Sequence, residues 1–223
     1  MMVGSIHCRQ AMKKILIALG VALALGILLL IVIGAAVAGS YNHLVSLSQA
    51  TDSHWAQVQN VYQRRADLIP NLVSTVSGAA NFEKSTLVEV TQARASVGQV
   101  KINANTAPTD PAQLAAFDQA QGQLSSALSH LMVVVERYPQ LTATENFRDL
   151  QAQLEGTENR IAVERRDFNQ AVQDYDTAVK SFPAVIYAGM FGFQPKPYFS
   201  AAPGAETAPK VQFNFNNAVT NAP

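Results

Sequence analysis

The chain has 223 residues, and its 16 Lys and Arg against 16 Asp and Glu give a formal net charge of zero. Charged residues make up only 14% of the chain, which excludes a nucleic-acid-binding protein that depends on a basic surface. The 48% of hydrophobic residues is enough to bury a core and excludes a charged disordered chain. The single cysteine excludes an internal disulfide framework and a cysteine-rich zinc site.

An uncharged apolar run from Ile15 to Ala38 follows a short flank of residues 1–14. Since about 20 apolar residues in a helix cross the hydrocarbon core of a bilayer, the run predicts a single transmembrane helix in contact with membrane lipid. The alternative is a cleaved signal peptide, because residues 36–38 read Ala-Val-Ala, the form of a cleavage site. The run is longer than the apolar region of a usual signal peptide, which favours an uncleaved anchor.

The charges that flank the apolar run predict its orientation. Arg9, Lys13 and Lys14 precede it, whereas no Lys or Arg follows it before Arg64. The positive-inside rule therefore places the N-terminus in the cytoplasm and the rest of the chain on the other side of the membrane.

Residues 40–182 show the heptad-like apolar spacing of long helices. Apolar seams follow residues 44–79, 82–100, 114–138 and 147–182, and the last repeats steps of three and four without a slip. Short linkers between such seams predict an all-α, antiparallel bundle of long, coiled-coil-like helices. Because no helix breaker follows Gly39, we expect the first helix to run directly out of the membrane. Asp110 followed by Pro111 is typical of a helix N-cap with proline at the first helical position.

Pro70 is a proline inside a periodic segment. It lacks a backbone N–H and its ring clashes with the preceding turn, so we expect a kink between Ala66 and Pro70. The simpler interpretation is a bend that follows the core, and the alternative is a functional hinge.

The tail of residues 183–223 is irregular and rich in proline and aromatic residues. Disordered segments are usually poor in aromatics, so we expect the tail to dock on its own bundle or on a neighbouring chain. Residues 211–215 alternate with a period of two, which indicates a possible short strand. The candidate docking side chains are Phe191, Phe193, Tyr198, Phe199, Phe213 and Phe215.

Charged side chains at seam positions are the conspicuous polar feature. Arg65 and Glu164 occupy core positions of the first and last long helices, and an unpaired buried charge is costly. We expect a structural ion-pair cluster of Arg65, Glu158, Glu164 and Asp167, in which Arg65 and Glu164 are one candidate pair. A proton-binding or ligand-binding site is the alternative. The sequence contains no recognisable catalytic or metal-binding motif, so we expect no enzymatic activity, metal or cofactor.

Several blocks of sequence resemble the LemA family. They include residues 41–45 (YNHLV), residues 63–73 (QRRADLIPNLV), residues 133–139 (VVVERYP) and the longest block, residues 154–169 (LEGTENRIAVERRDFN). The pairs Phe182-Pro183 and Tyr198-Phe199 and the residues 191–193 (FGF) complete the pattern. The resemblance covers residues 41–199, and it weakens beyond Ser200.

The resemblance implies a bacterial protein with one N-terminal membrane helix, an antiparallel helical bundle and no established enzymatic activity. Descriptions of the family sometimes place the short N-terminus outside the cytoplasm. The charge argument gives the opposite orientation, with the N-terminus in the cytoplasm and the bundle on the periplasmic or extracellular side of the bacterial inner membrane, and we keep this expectation. We expect a non-enzymatic scaffold that self-associates or holds protein partners, with a possible role in membrane organisation. The alternatives are an adaptor or regulator of a membrane protease or sensor, and a ligand-sensing module that uses the charged seam.

The amide content favours the self-associating scaffold. Beyond residue 40 the chain has 17 Gln and 13 Asn against 13 Lys and Arg. Depletion of charge is a mark of protein interfaces, so these helix faces or the tail are expected to meet other protein chains.

Overall fold

The computed structural model describes residues 3–80 and 82–200, with side chains from Leu16 onward apart from Ala18. The possible strand at 211–215, with Phe213 and Phe215, lies outside these residues. The described part is all α-helical, which confirms the predicted fold class. Its helices are α1 (Val3–Ser77), α2 (Lys84–Gln99), α3 (Pro111–Val135), α4 (Pro139–Thr142), α5 (Glu145–Lys180) and α6 (Ala184–Tyr187), and a 3-10 turn (Ala188–Phe191) follows.

Helix α1 runs without interruption from the apolar N-terminal segment into the bundle. Its 75 residues correspond to about 110 Å of helix. The large apolar side chains between Leu16 and Ile33 are 50–69% exposed, so no protein surface covers them in the described structure. Within this part of the chain, α1 is the helix that is long and apolar enough to cross a membrane.

The four long helices alternate in direction. Along α1, Trp55 and Arg65 contact Phe168 and Glu158 of α5, and Leu44 shares an apolar cluster with Val179. Residue numbers therefore rise in one helix as they fall in the other. Glu83, the residue just before α2, likewise contacts Arg137 after the end of α3, and Glu89 within α2 contacts His130 within α3. The α1–α5 and α2–α3 pairs are therefore antiparallel, and together they form the predicted bundle.

Three apolar clusters follow one another along α1. The membrane-proximal cluster surrounds Leu44 and Tyr175, the middle cluster surrounds Trp55, and the distal cluster surrounds Leu72. Trp55, Val58, Leu72, Val76, Phe168 and Val172 have no measurable exposure. Burying a side chain of this size contributes about 1.5–3 kcal/mol, so these positions hold the helices in register.

Local hydrogen bonds explain how the helices begin. The Asp110 carboxylate accepts the backbone N–H of Ala112 at 2.8 Å, as expected of an N-cap before Pro111. The Thr144 hydroxyl accepts the N–H of Phe147 at 3.4 Å and starts α5.

Pro70 does not end α1, which continues to Ser77. Proline removes the N–H that would bond to the carbonyl four residues earlier, which is that of Ala66. Arg94 of α2 donates its Nε–H to this carbonyl oxygen at 3.0 Å and supplies the missing donor. The kink at Pro70 stays a prediction, but the Ala66 carbonyl that Pro70 leaves without a helical donor is hydrogen-bonded.

Candidate functional site

The polar centre of the bundle is built on Arg65, which lies on the core face of α1 one turn after Tyr62 and one turn before Ile69. All three side chains are buried, and Arg65 is only 2% exposed. The seam of α1 therefore carries a full positive charge between two apolar positions. Such burial requires dense hydrogen bonding.

Three helices supply the partners of the Arg65 guanidinium. Its Nη1 donates to Ser125 Oγ at 2.8 Å and to Glu158 Oε2 at 2.9 Å. Its Nη2 donates to the backbone oxygen of Gln121 at 3.3 Å and to the side-chain amide oxygen of the same residue. The guanidinium carbon lies 5.1 Å from the centre of the Tyr62 ring. One arginine thus ties α1 to both α3 and α5.

A cavity of about 640 Å³ opens beside this arginine, between α1, α3, α5 and the start of the tail. Arg65, Arg165, Asp118 and Glu158 line it, so its walls carry balanced charge. Arg165 Nη1 and Asp118 Oδ1 form an ion pair at 2.9 Å on its rim. The Nε of Arg65 is buried and has no hydrogen-bond partner among the described residues.

The structure divides the predicted charge cluster. Glu158 contacts Arg65, although the Glu158 side chain is 57% exposed. Asp167 instead contacts Arg166 at 3.2 Å on the surface. Glu164 is half-buried, and no ion pair to it is formed within the described part of the chain. The carboxylate that meets Arg65 is therefore that of Glu158, and the candidate pair of Arg65 with Glu164 is not formed.

Burial changes the acidity of the tyrosine that packs on Arg65. Desolvation raises the pKa of the Tyr62 phenol above its ordinary value, and the nearby positive charges of Arg165 and Arg65 offset part of this rise. Tyr62 is therefore a neutral hydrogen-bonding group at physiological pH, and not a candidate base.

A second buried charge lies where the tail meets the bundle, and the sequence analysis missed it. The Lys196 ammonium is 2.9 Å from Asp52 Oδ1 of α1, and the backbone N–H of Lys196 donates to Asp176 Oδ1 of α5 at 3.0 Å. Asp52 Oδ1 also accepts the N–H of Ala107 from the α2–α3 loop. Lys196 is 6% exposed. One signal was available: Lys196 is a lone charge in a long uncharged stretch, between two prolines.

The tail turns back onto its own bundle through Phe199. This ring is 6% exposed and lies 6.1 Å from the Trp55 ring in a stacked arrangement. Asn169 accepts the Phe199 N–H at 2.9 Å and donates to the Phe199 carbonyl at 3.0 Å. The Arg165 guanidinium lies 4.4 Å from the centre of the same ring. These contacts anchor the tail within the same chain.

The other tail aromatics are less enclosed. Phe191 and Phe193 both contact the Tyr41 ring, at centroid distances of 5.4 and 5.5 Å. Phe191 is 59% exposed and Tyr198 is 43% exposed.

The predicted anchor residues lie in the first half of α1. Arg9, Lys13, Lys14 and Ile15 belong to the stretch of α1 of which the backbone alone is described, and Ala38 is exposed. Within the described residues, no three His, Cys, Asp or Glu side chains converge as metal ligands would.

Comparison with known proteins places this architecture in a family. The model of the LemA family matches residues 54–213. Magnetosome protein MamQ 2 of Paramagnetospirillum magneticum is 26% identical over 182 residues, which cover 75% of this chain and 67% of the relative. Magnetosome protein MamQ of Magnetospirillum gryphiswaldense is 24% identical over 200 residues, covering 83% of this chain and 74% of that protein.

A more distant relative carries the family's own name. Protein LemA of Metamycoplasma hominis is 22% identical over 144 residues, which cover 65% of this chain and 61% of the relative. The exposed apolar segment of α1 and these relatives support a membrane-associated helical protein with a single span. Since the family model matches well over half of the chain, the chain belongs to the LemA family.

Proposed function

We propose that this protein is a non-enzymatic, membrane-anchored scaffold of the bacterial envelope, which self-associates or holds protein partners. In this proposal residues 15–38 span the inner membrane, residues 40–182 form the scaffold bundle and residues 183–223 form the tail. The N-terminus is cytoplasmic and the bundle lies on the periplasmic or extracellular side.

The continuity of α1 is the observation that carries the proposal. The helix extends from Val3 to Ser77 and contributes to all three apolar clusters of the bundle. A bundle on a flexible linker would sample many positions, whereas a bundle built on the extension of its own anchor has a defined height and direction relative to the bilayer. Such geometry suits a protein that positions others. The relatives named as magnetosome proteins agree with a role at membranes.

The size of the assembly in membranes tests the scaffold. The full chain should be extracted with mild detergent or with native nanodiscs and weighed by mass photometry or by light scattering. A discrete homo-oligomer supports the scaffold, and a strict monomer at every protein concentration contradicts self-association. A monomer that co-purifies with one membrane protease or sensor would replace the scaffold with the adaptor alternative.

The orientation has its own test. A reporter that is active only outside the cytoplasm, fused after Pro223, is expected to be active. Activity of a cytoplasm-specific reporter at the same position would contradict the proposed topology. A mature N-terminus at Gly39 would show that the apolar run is a cleaved signal peptide.

Ligand sensing is the second candidate function, and the cavity beside Arg65 favours it. The buried Nε of Arg65 lacks a hydrogen-bond partner among the described residues, and an arginine in a cavity suits a small anionic ligand. A thermal-shift screen of small carboxylates and phosphates tests this candidate. A ligand that raises the melting temperature of the wild-type chain but not of Arg165→Ala, at the cavity rim, would support it, and no shift with any of them would remove it.

A further inference from the structure

An exposed apolar patch covers the outer face of α6 and of the 3-10 turn that follows it. Five large side chains form this patch, namely Phe182, Val185, Ile186, Met190 and Phe191. Phe182 is 81% exposed and Met190 is 85% exposed, whereas Ala184, Tyr187 and Ala188 on the inner face are buried. A patch of this kind on a protein surface normally marks a binding surface.

The direction of α5 places this patch at the membrane end of the bundle. Helix α5 runs antiparallel to α1, so its C-terminal end approaches the anchor, and Val179 belongs to the same membrane-proximal cluster as Leu44. The Tyr187 hydroxyl reaches the carbonyl oxygen of Val37 at 3.5 Å.

The position of Val37 fixes the level of the patch relative to the bilayer. Residues 15–38 form about 36 Å of helix, and the hydrocarbon core is about 30 Å thick. Val37 therefore lies close to the boundary between acyl chains and headgroups. Because Tyr187 contacts Val37, α6 and the 3-10 turn lie at this boundary.

The composition of the segment suits this boundary. Residues 181–195 contain no charged side chain, and Lys180 at its start is exposed. Tyr41, Tyr187, Phe191 and Phe193 form a group of rings with centroid distances of 5.4–5.9 Å. Tyrosine is enriched at membrane interfaces, and an exposed lysine beside it can lay its stem along apolar surface while its ammonium stays in water.

We propose that residues 182–191 form an interfacial platform, whose apolar face inserts into the headgroup region of the same bilayer that α1 spans. The occupant of the patch is lipid, because the patch is continuous with the membrane span through Tyr187 and Val37. The platform gives the bundle a second point of attachment beside the anchor, and two points fix its tilt. The proposal requires the anchor but does not depend on self-association.

Fluorescence at the patch tests the platform directly. The full chain with Cys8→Ser and Met190→Cys is labelled with an environment-sensitive dye and reconstituted into vesicles of phosphatidylcholine and phosphatidylglycerol. The dye is expected to emit at shorter wavelength than in water and to be quenched by lipids with a spin label near the headgroup. The matched control is Val133→Cys, which is also an exposed apolar position but lies in the last turn of α3, near the distal end of the bundle.

The Met190 label is expected to be quenched about twofold or more relative to the Val133 label, since interfacial segments lie about 5–10 Å below the headgroup surface. Equal, water-like emission at both positions would overturn the platform. A shielded Met190 label that spin-labelled lipid does not quench, or that is shielded only at high protein-to-lipid ratio, would assign the patch to a second copy of the chain and also overturn the proposal. Ile186→Cys repeats the measurement if the Met190 label disturbs folding.

Discussion

At the scale of single residues, Arg65 links α1 to two other helices of the bundle. Its guanidinium is buried and donates to groups of both α3 and α5, so its removal affects three helices at once. A buried charge is tolerated only when its hydrogen-bond donors have partners. Removing one partner costs far more free energy of unfolding than the intact pair contributes to stability.

A charge swap tests the partner of Arg65. We expect Arg65→Glu to lower the free energy of unfolding by about 3 kcal/mol or more, because two negative charges would then meet in a buried site. Adding Glu158→Arg should recover about 1 kcal/mol, since Glu158 is largely exposed and the restored pair is partly screened by water. Thermal unfolding followed by circular dichroism in mild detergent measures both changes.

Glu164→Arg in the same Arg65→Glu background is the matched control. It introduces the same charge on the same helix without reaching residue 65, so we expect no recovery. Equal recovery with Glu158→Arg and Glu164→Arg would show that the effect is one of net charge, and would contradict the contact.

The raised pKa of Tyr62 predicts a pH dependence of stability. The folded state holds the phenolic proton more tightly than the unfolded state, whose pKa is near 10.0. The corresponding stabilisation is complete below that pH and is lost as the pH rises through the higher pKa of the folded protein. We expect the free energy of unfolding to fall less steeply above pH 10 in Tyr62→Phe than in the wild type.

Tyr175 provides the control for this experiment. Burial raises the pKa of the Tyr175 phenol too, with further contributions from the negative charges of Asp176 and Asp52. Part of the slope should therefore persist in Tyr62→Phe and become smaller again in the double variant with Tyr175→Phe. Identical slopes for all variants in chemical denaturation between pH 8 and 11, about one unit or more on either side of a normal tyrosine, would refute this prediction.

The partner of Arg65 marks the limit of sequence reasoning at this scale. The heptad spacing predicts that Arg65 faces the core, and it does. The spacing within one helix carries no information about its register with another, and Glu158 and Glu164 are only about 9 Å apart along α5. The contact of Trp55 with Phe168 and the shared cluster of Leu44 and Val179 set that register, and both come from packing in three dimensions.

At the scale of elements, a side chain of α2 supplies the hydrogen bond that Pro70 removes from α1. Arg94 donates to the Ala66 carbonyl that Pro70 leaves without a helical donor. This allows α1 to pass through the bundle as one helix, with the defect satisfied by a neighbour. Sequence reasoning located the defect at Pro70 but had no means to identify the donor, which lies 28 residues after Ala66 along the chain.

A double-mutant cycle isolates the contribution of the hydrogen bond from Arg94 to the Ala66 carbonyl. Arg94→Ala should lower the free energy of unfolding by about 1 kcal/mol, the usual contribution of one hydrogen bond. In Pro70→Ala the new backbone N–H can bond to Ala66, so the same Arg94→Ala change should cost much less. Equal costs in both backgrounds, measured by thermal unfolding, would show that Arg94 acts elsewhere.

The junction of the tail with the bundle depends on Lys196. Lys196→Ala leaves the carboxylate of Asp52 without its buried ammonium partner. We therefore expect faster amide hydrogen exchange in residues 194–200 and a loss of about 2–4 kcal/mol in the free energy of unfolding. Lys180→Ala is the matched control, because Lys180 also pairs with a carboxylate at this junction, that of Asp176 at 3.3 Å, but is 66% exposed. Comparable exchange in the two variants, read by mass spectrometry, would contradict a special role of Lys196.

The tail also shows that the sequence can predict that a segment docks without predicting the surface on which it docks. The aromatic content indicates that the segment packs on something, and Phe199 packs beside Trp55. The choice between its own bundle and a neighbouring chain depends on a groove lined by α1 and α5, which exists only once the bundle has formed.

At the scale of the whole molecule, the connection between membrane and bundle is the property that matters most. The absence of a helix breaker after Gly39 predicts that one helix joins the two, and α1 continues from the apolar segment to Ser77. The same continuity places the platform of residues 182–191 at the membrane surface. A bundle held by one rigid helix and one interfacial contact is suited to present its faces to partners in a fixed direction.

A spin-label distance across the membrane boundary tests this rigid connection most directly. Labels at Ile33→Cys and Arg64→Cys, both exposed positions of α1, are placed in the Cys8→Ser chain in nanodiscs and diluted with unlabelled protein. An unbroken helix predicts a narrow distribution centred near about 47 Å, since each residue rises 1.5 Å. A broad distribution, or one centred well below this distance, would show a hinge between anchor and bundle and would contradict a bundle held rigidly by its anchor.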